Sequence, residues 1–231
     1  MRKAGSGVNE ATFAPSPLLS SWTAELYPSH PMSMGMMLGD ILEDMARTEA
    51  VDFFDVGAHV GFYACHVGVN CPQATPHAFD LNPACCVEIA RNLFENHIQG
   101  RVICAAVAEE AGQIRRMRLF REGKPATMKS IQNHEPTMVP FVAPTVSLWT
   151  YAVQAGIMPK VFKIDVERDE ERVIYGMKHL FRFNDPMAVY VEIHPRGDGQ
   201  MIHRIVDFMH HHGFAPARYE VEGGDHFRFR R

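Results

Sequence analysis

The stretch "VDFFDVGAHVGF", residues 51–62, is where the fold can first be predicted. The apolar run 51–56 suits a strand that is covered on both faces, and Gly57 and Gly61 follow at its end. Glycine allows a tight turn and lets a ligand approach the backbone closely. Because "GFYACHVGV" (61–69) then has a helical pattern, the stretch predicts a strand, a turn and the start of a helix.

The same alternation continues along the chain. Further strands are predicted at "TPHAFD" (75–80), "RVICAAV" (101–107), "KVFKIDV" (160–166) and "MAVYVEIH" (187–194). Helical patterns separate them, including "PTVSLWTYAVQAG" (144–156), and "GQIRRMRLF" (112–120) suits a strand at the sheet's periphery. The tail 213–230 predicts an antiparallel hairpin with a Gly-Gly turn. This order indicates an α/β, doubly wound, mostly parallel sheet with helices on both faces.

Composition sets limits on the class of protein. A chain of 231 residues, 46% hydrophobic and 22% charged, suits one domain, so we divide it into an irregular N-terminal arm (1–32) and a single domain (33–231). The net charge of −4 disfavours a nucleic-acid partner. No apolar stretch is long enough for a membrane span and no signal peptide is recognisable, which leaves the cytoplasm as the default location. Whether the chain forms a homo-oligomer stays open.

Acidic residues end the first two strands. Asp55 lies beside the glycines, where free N–H groups at a helix start can face a carboxylate, and Asp55 itself could meet the ammonium group of a bound amino acid. Asp80 lies 19 residues after Gly61, the interval expected of an acid that accepts hydrogen bonds from a ribose. The alternative is that the glycines serve packing alone and Asp80 shapes the helix entry. Both strand ends together favour a nucleoside-containing ligand.

Polar residues also share a face on two later strands. Lys163 and Asp165 point the same way, as do Glu192 and His194, because alternate residues of a strand share a face. His194 can accept a proton near neutral pH, and Asp165 could orient it or hold an acceptor hydroxyl. A Lys163–Glu192 ion pair that serves structure alone is equally compatible with this pattern. A metal bound by Asp165, Glu167 and His194 is a further alternative, although the spacing is not diagnostic.

Taken together, these segments resemble the FkbM-type methyltransferases, a branch of the class I S-adenosylmethionine-dependent methyltransferases. The resemblance extends roughly from residue 51 to residue 195. Its segments, in chain order, are "DVGAHVG" (55–61), "AFDLNPACCVEIARNLFEN" (78–96), "AAVAEEAG" (105–112), "VFKIDVERDEERVIYG" (161–176) and "VEIHP" (191–195). It implies a seven-stranded Rossmann-like sheet, S-adenosyl-L-methionine as cofactor, and methyl transfer to a hydroxyl of a small molecule, often a sugar or natural product.

The resemblance also implies roles for residues. The cofactor site would comprise the glycine turn around the methionine part, the ribose acid with its neighbours, and two residues near the adenine: Asp55, Gly57, Ala58, His59, Gly61, Asp80, Leu81, Asn82, Ala106, Val107 and Asp165. The candidate catalytic residues are Lys163, Asp165, Glu192 and His194, and no metal is expected. Two departures from the family pattern stand out: Arg168 replaces a usual glycine, and Trp149 and Thr150 replace acids.

Three readings follow from these residues. The first is an S-adenosylmethionine-dependent O-methyltransferase with a hydroxylated small-molecule acceptor. The second is a catalytically inactive cofactor-binding or assembly protein of the same fold. The third, a nicotinamide oxidoreductase, is disfavoured because the glycines follow D-x-G-x-x-x-G and not G-x-G-x-x-G.

Overall fold

The protein is described from a computed structural model, which covers residues 8–13, 32–120, 138–183, 185–194, 200–220 and 225–231. Its helices are α1 (Met32–Arg47), α2 (Phe62–Asn70), α3 (Pro83–Glu95), α4 (Leu148–Ala155), α5 (Glu170–Gly176) and α6 (Gln200–His211). Its strands are β1 (Asp52–Val56), β2 (Thr75–Asp80), β3 (Arg101–Cys104), β4 (Ala106–Val107), β5 (Ile114–Phe120), β6 (Met138–Val146), β7 (Val161–Ile164), β8 (Ala188–Ile193), β9 (Ala215–Arg218) and β10 (Asp225–Arg230). None of the helices within these ranges combines the length and the apolar character that a membrane crossing requires.

Seven strands form one sheet in the order β3-β2-β1-β7-β8-β10-β9. The pairs β1–β2, β2–β3, β1–β7 and β7–β8 are parallel. Strand β10 is antiparallel to both β8 and β9, so the tail closes the sheet as a hairpin. The prediction of a doubly wound, mostly parallel seven-stranded sheet with a C-terminal antiparallel hairpin is therefore confirmed.

Helices cover both faces of this sheet, and the burial pattern of the strands shows why. Along β1, Phe53 packs with the apolar side chains of α1 and α2, while Phe54 packs with the group that contains α4, α5 and α6. Helix α3 joins α2 on the first face through Ile89 and Leu93. Since neighbouring residues of a strand point to opposite faces, a strand between two helical layers is expected to be apolar on both faces. Phe53, Phe54 and Val56 follow this pattern, and the exception is Asp55, a buried carboxylate near the carboxyl end of the strand.

Three sequence expectations need correction around a second, small sheet. Strands β4, β6 and β5 form a three-stranded sheet of their own, so residues 112–120 do not extend the periphery of the large sheet. The predicted strand 101–107 is interrupted at Ala105, whose N–H donates to the backbone carbonyl of Asp80. Only β3 remains in the large sheet. The predicted helix 144–156 begins four residues late, at Leu148, because 144–146 end β6 and Ser147 caps the helix through the Thr150 N–H.

The N-terminal segment 8–13 lies across the ends of α2 and α3. Asn70 accepts from the Asn9 N–H and donates to the Asn9 carbonyl, and Asn96 makes the same pair of bonds with Thr12. Phe13 then stacks on Phe62 at 6.1 Å. The rest of the predicted arm and the Gly-Gly turn at 223–224 lie outside the described residues. The division into an arm and one domain therefore stays a prediction.

Candidate active site

The polar strand ends meet where the order of the large sheet reverses. From β1 the chain proceeds to β2 and β3 on one side and later to β7 and β8 on the other. Ligands of open α/β sheets bind outside the carboxyl ends of the strands at such a point. Asp55, Asp80, Asp165 and His194 all lie at or just after the carboxyl ends of these central strands, so the structure brings the two predicted residue sets to one crevice.

In the turn after β1, every second residue has a left-handed backbone conformation. Gly57, His59 and Gly61 have φ of 77°, 55° and 83°, a conformation that glycine adopts without steric cost. A Cβ on Gly57 would lie 1.7 Å from the carbonyl oxygen of Asp165. The packing explanation is thus sufficient for Gly57: its backbone lies directly against the end of β7.

Asp55 is buried beneath this turn. Its Oδ2 accepts a hydrogen bond from the Ala64 N–H at 3.0 Å, in the first turn of α2, and its Oδ1 is buried with no partner among the described residues. Burial raises the pKa of Asp55 to about 6, although Lys163 and the Ala64 N–H act in the opposite direction. A buried carboxylate oxygen without a partner is costly, and a donor such as the ammonium group of a methionine moiety would satisfy it. The site fits the cofactor at this point.

Asp80 connects the ends of β1 and β2. Its Oδ2 accepts from the His59 N–H at 2.9 Å and its Oδ1 from the Asn82 N–H at 2.7 Å. Burial raises the pKa of Asp80 to about 7, against the effect of these two bonds. Asn82 caps α3 by accepting from the Ala84 N–H, and Pro83 occupies the first turn. Asp80 therefore shapes the entry to α3 through the Asn82 N–H and also holds the glycine turn through the His59 N–H. The two explanations from the sequence, ribose binding and helix entry, do not exclude each other.

The residues expected near the adenine lie on the small sheet. Ala106 and Val107 form β4 and are both buried. Leu81 and Ala106 belong to one apolar cluster with Phe141 and Ala143 of β6. This cluster extends the crevice from the end of β2 towards the small sheet. An apolar wall of this kind suits the flat face of a nucleobase.

A buried lysine lies at the centre of the polar strand ends. Lys163 Nζ contacts Asp165 Oδ2 at 3.0 Å and lies 5.1 Å from the centroid of the Tyr63 ring. Burial alone would lower the pKa of Lys163, but the carboxylates of Asp165, Asp55 and Glu192 outweigh it and raise the pKa. The direct partner of Lys163 is thus Asp165 and not Glu192, the partner that the sequence suggested.

His194 is surrounded by carboxylates. Its Nδ1 lies 3.0 Å from Glu170 Oε1 and 3.9 Å from Asp165 Oδ1, and its Nε2 lies 3.4 Å from Glu192 Oε1. Burial alone would lower the pKa of the imidazole, but Glu170 and Glu192, with Asp165 and Glu167 beyond them, raise it to about 11. The pKa of Glu192 falls to about 2, because His194, Lys163 and His226 outweigh the effect of its burial. In this arrangement His194 carries a proton at neutral pH.

Three residues of this site were not among the sequence candidates. Glu170 is fully buried and touches His194, His226 of β10 lies 3.8 Å from Glu192, and Tyr63 lies over Lys163. His226 lies on a strand of the predicted hairpin, but its place opposite Glu192 depends on the pairing and register of β10 with β8, which the sequence does not indicate. No periodic signal marks Glu170 or Tyr63, because both lie in the first turn of a helix after an irregular connection.

The departure at Arg168 has a clear structural counterpart. Glu167 and Arg168 have φ of 54° and 86°, so the chain adopts at Arg168 the backbone conformation that a glycine favours. Such a conformation costs roughly 1–3 kcal/mol for a residue other than glycine. The Arg168 N–H donates to Glu170 Oε1 at 2.9 Å. Arg168 therefore adopts the turn conformation that the usual glycine of the family pattern would favour.

The second departure replaces acids by residues with packing roles. Trp149 stacks on Phe183, with ring centroids 5.6 Å apart, and lies beside His179. Thr150 takes part in the cap of α4, where it exchanges contacts with Ser147. Both side chains thus contribute to α4 and its neighbours.

The metal alternative takes a different form in the structure. Asp165, Glu170 and His194 each offer one ligand atom, and these atoms lie within 4.8 Å of one another. Glu170 takes the place of Glu167 in this group. Because the Nδ1 of His194 already faces Glu170 at hydrogen-bonding distance, a cation would first have to displace a proton. We assign no metal to these residues.

Comparison with known proteins identifies the family. The profile of the methyltransferase FkbM domain matches residues 55–216, well over half of the chain. The chain belongs to the FkbM methyltransferase family. It therefore carries a methyltransferase domain of an S-adenosylmethionine-dependent family, and this family match confirms the family, the enzyme class and the cofactor expected from the sequence. Among curated proteins, the 31-O-demethyl-FK506 methyltransferase FkbM of Streptomyces tacrolimicus is 36% identical over 67 residues. That match spans 29% of this chain and only 25% of the relative.

Solved structures agree on the fold. The cofactor-bound Rv0187 from MTB has a TM-score of 0.55 and 13% identity, covering 84% of this chain and 78% of that one. An O-methyltransferase from Bacillus cereus in complex with SAH has a TM-score of 0.54 and 7% identity, covering 84% and 80%. At such low identity the likeness extends to the fold and not to the substrate.

Proposed function

We propose that this domain transfers the methyl group of S-adenosylmethionine to a hydroxyl oxygen of a small molecule, a sugar or a natural product. One observation carries the proposal: His194, which can accept a proton once its imidazole is deprotonated, lies with its carboxylates at the same sheet edge as the glycine turn and Asp80. Methyl transfer to a hydroxyl requires an acceptor for the hydroxyl proton at this place. The name of the Streptomyces relative, an O-methyltransferase, supports oxygen as the nucleophile.

The cofactor would be held by the residues at the ends of β1, β2 and β4. Asp55 and the turn Gly57–Gly61, which includes Ala58 and His59, would hold the methionine part. Asp80 would accept from the ribose hydroxyls with Leu81 and Asn82 beside it, and Ala106 and Val107 would line the adenine. When bound, the cofactor supplies an electrophilic methyl on a sulfonium, which needs only an aligned nucleophile and a destination for its proton.

The acceptor would lie next to the ends of β7 and β8. His194 would take the hydroxyl proton, and Asp165 would hold the acceptor beside it. Lys163 keeps Asp165 in place through the 3.0 Å contact, and Glu192 faces the other nitrogen of His194. Because His194 is protonated in the ligand-free protein, it must lose that proton before each turnover. It therefore acts as a base only in the deprotonated fraction.

The first test is calorimetric titration of the purified chain with S-adenosylmethionine, its demethylated product and NADH. We expect micromolar binding of the first two and none of NADH. A panel of hydroxylated sugars and natural products is then incubated with radiolabelled cofactor, and the products are analysed by mass spectrometry. Transfer of label to oxygen supports the proposal, and transfer to nitrogen or carbon alone contradicts it. Binding without transfer to any acceptor would favour an inactive cofactor-binding protein.

A further inference from the structure

Glu170 makes a contact that bears directly on the role of His194. Its side chain is fully buried, whereas those of Glu192 and Asp165 are 25% and 26% exposed. Glu170 Oε1 lies 3.0 Å from His194 Nδ1, within the hydrogen-bonding range. Glu192 Oε1 lies 3.4 Å from His194 Nε2, beyond that range. The two ring nitrogens therefore have different surroundings. Nδ1 faces a buried carboxylate at hydrogen-bonding distance, and Nε2 faces a partly exposed carboxylate at a longer distance.

The backbone fixes Glu170 in turn. The left-handed turn at Glu167 and Arg168 directs the Arg168 N–H to the same oxygen, Oε1, at 2.9 Å. Glu170 is also the first residue of α5, where a negative charge is favoured by the helix dipole. The bond from the Arg168 N–H restricts the movement of this carboxylate. A histidine that donates one ring N–H to a fixed carboxylate has its orientation and tautomer set by that bond.

From this geometry we propose that Glu170 is a positioning residue: it keeps a proton on Nδ1 of His194, so that Nε2 is the nitrogen that accepts the proton of the methyl acceptor. The inference rests on the proposed function and adds a residue to it. Once Nε2 has lost its proton to solvent, the acceptor hydroxyl would take the place of Glu192 there. As the oxygen–methyl bond forms and the sulfur–methyl bond breaks, the hydroxyl proton would move to Nε2, while the Nδ1 proton stays on the ring in its hydrogen bond to Glu170. The proton is later released from Nε2 to solvent.

The charged groups around His194 define what removal of Glu170 would do. Glu170 from α5, Glu192 from β8, Asp165 after β7 and Glu167 from the turn all favour the protonated ring. Lys163 and His226 act on it indirectly, through Asp165 and Glu192. Loss of the Glu170 charge should therefore lower the proton affinity of His194. The other three carboxylates should preserve part of the increase in this affinity.

The test uses the full chain without cofactor, with ¹⁵N-labelled histidine and in buffer containing a chelator. In the unchanged protein we expect the Nδ1 proton of His194 to exchange with water at least about tenfold more slowly than the Nε2 proton, because its partner is buried. In Glu170→Gln we expect the proton affinity of His194 to fall by about tenfold or more, and the Nδ1 proton to exchange faster. Faster exchange at Nδ1 than at Nε2 in the unchanged protein would overturn the proposal.

A matched variant separates this role from a structural one. Glu171→Gln makes the same chemical change one residue later, at a side chain that contacts Arg204 and Tyr175, and should leave the titration of His194 unchanged. If Glu170→Gln also leaves it unchanged, the positioning role is refuted. Once an acceptor is known, the pH dependence of kcat/KM in Glu170→Gln should move to lower pH and its limiting value at high pH should fall, whereas Glu171→Gln should follow the parent profile. Because the exchange experiment needs neither cofactor nor acceptor, failure of the positioning role can be distinguished from failure of the proposed function.

Discussion

The carboxylate of Asp80 accepts the backbone N–H of His59 at 2.9 Å and thereby ties the end of β2 to the glycine turn after β1. A single side chain at one strand end thus holds the loop that follows its neighbour. A ligand that binds Asp80 therefore lies next to this turn. The two halves of the expected cofactor site are therefore mechanically linked, and His194, at the end of β8, belongs to a separate group.

This separation predicts that Asp80 and His194 variants fail in different ways. Asp80→Ala removes two accepted hydrogen bonds and the expected ribose contact, so binding of S-adenosylmethionine should weaken by about 10-fold to 100-fold. His194→Ala should keep most of the binding and slow methyl transfer by about 100-fold or more. Calorimetry and single-turnover rates measure the two effects. Equal losses of binding in both variants would show that the division into cofactor and acceptor groups is wrong.

The dependence of the rate on pH follows from the raised pKa of His194. The imidazole, with a pKa of about 11 in the ligand-free protein, is protonated at neutral pH and must be deprotonated to act as a base. The fraction in the active form therefore increases as pH rises, so kcat/KM should increase steadily from pH 7 to pH 9. His194→Gln should remove this increase. A flat profile in the unchanged enzyme over this interval would exclude His194 as the proton acceptor.

Gly57 and Gly112 provide a matched pair for the packing of the turn. Both have left-handed φ, 77° and 78°, but a Cβ at Gly57 would lie 1.7 Å from the Asp165 carbonyl while a Cβ at Gly112 meets nothing within 4 Å. Gly112→Ala should cost about 1–2 kcal/mol in free energy of unfolding, from the backbone alone. Gly57→Ala should cost about 3 kcal/mol or more, because the ends of β1 and β7 must separate. Denaturant unfolding measures both; similar costs would refute the close contact.

The two asparagines that bind residues 8–13 predict a local effect. Asn70→Ala or Asn96→Ala removes a reciprocal pair of hydrogen bonds to this segment, each bond being worth about 0.5–1 kcal/mol at most because it is exposed. Hydrogen exchange at Asn9 and Thr12 should accelerate, while the amides of the central strands keep their protection. Asn96→Asp, which can still accept from the Thr12 N–H, should have the smaller effect at Thr12. Unchanged exchange in both alanine variants would show that these contacts do not hold the segment.

The sequence by itself determined the layers of this protein and the positions of its main acids. A mostly apolar run such as 53–56 predicts a strand between two helical layers, because apolar residues at neighbouring positions of a strand point to both faces of the sheet. Glycines at 57 and 61 mark a turn because the left-handed backbone conformation is also local. Since the carboxyl ends of parallel strands meet at one edge, Asp55, Asp80, Asp165 and His194 could be assigned to one site before any coordinates existed.

Only the tertiary structure decided which side chains meet at that edge. Glu170 and His194 are 24 residues apart in the chain, and their contact depends on the turn at Glu167 and Arg168, whose backbone conformation their residue types do not favour. His226 reaches Glu192 because β10 pairs with β8 in one particular register. The small sheet also escaped prediction, since β6 contains prolines that are typical of loops. Contacts of this kind arise from packing between distant segments, which neither periodicity nor residue spacing records.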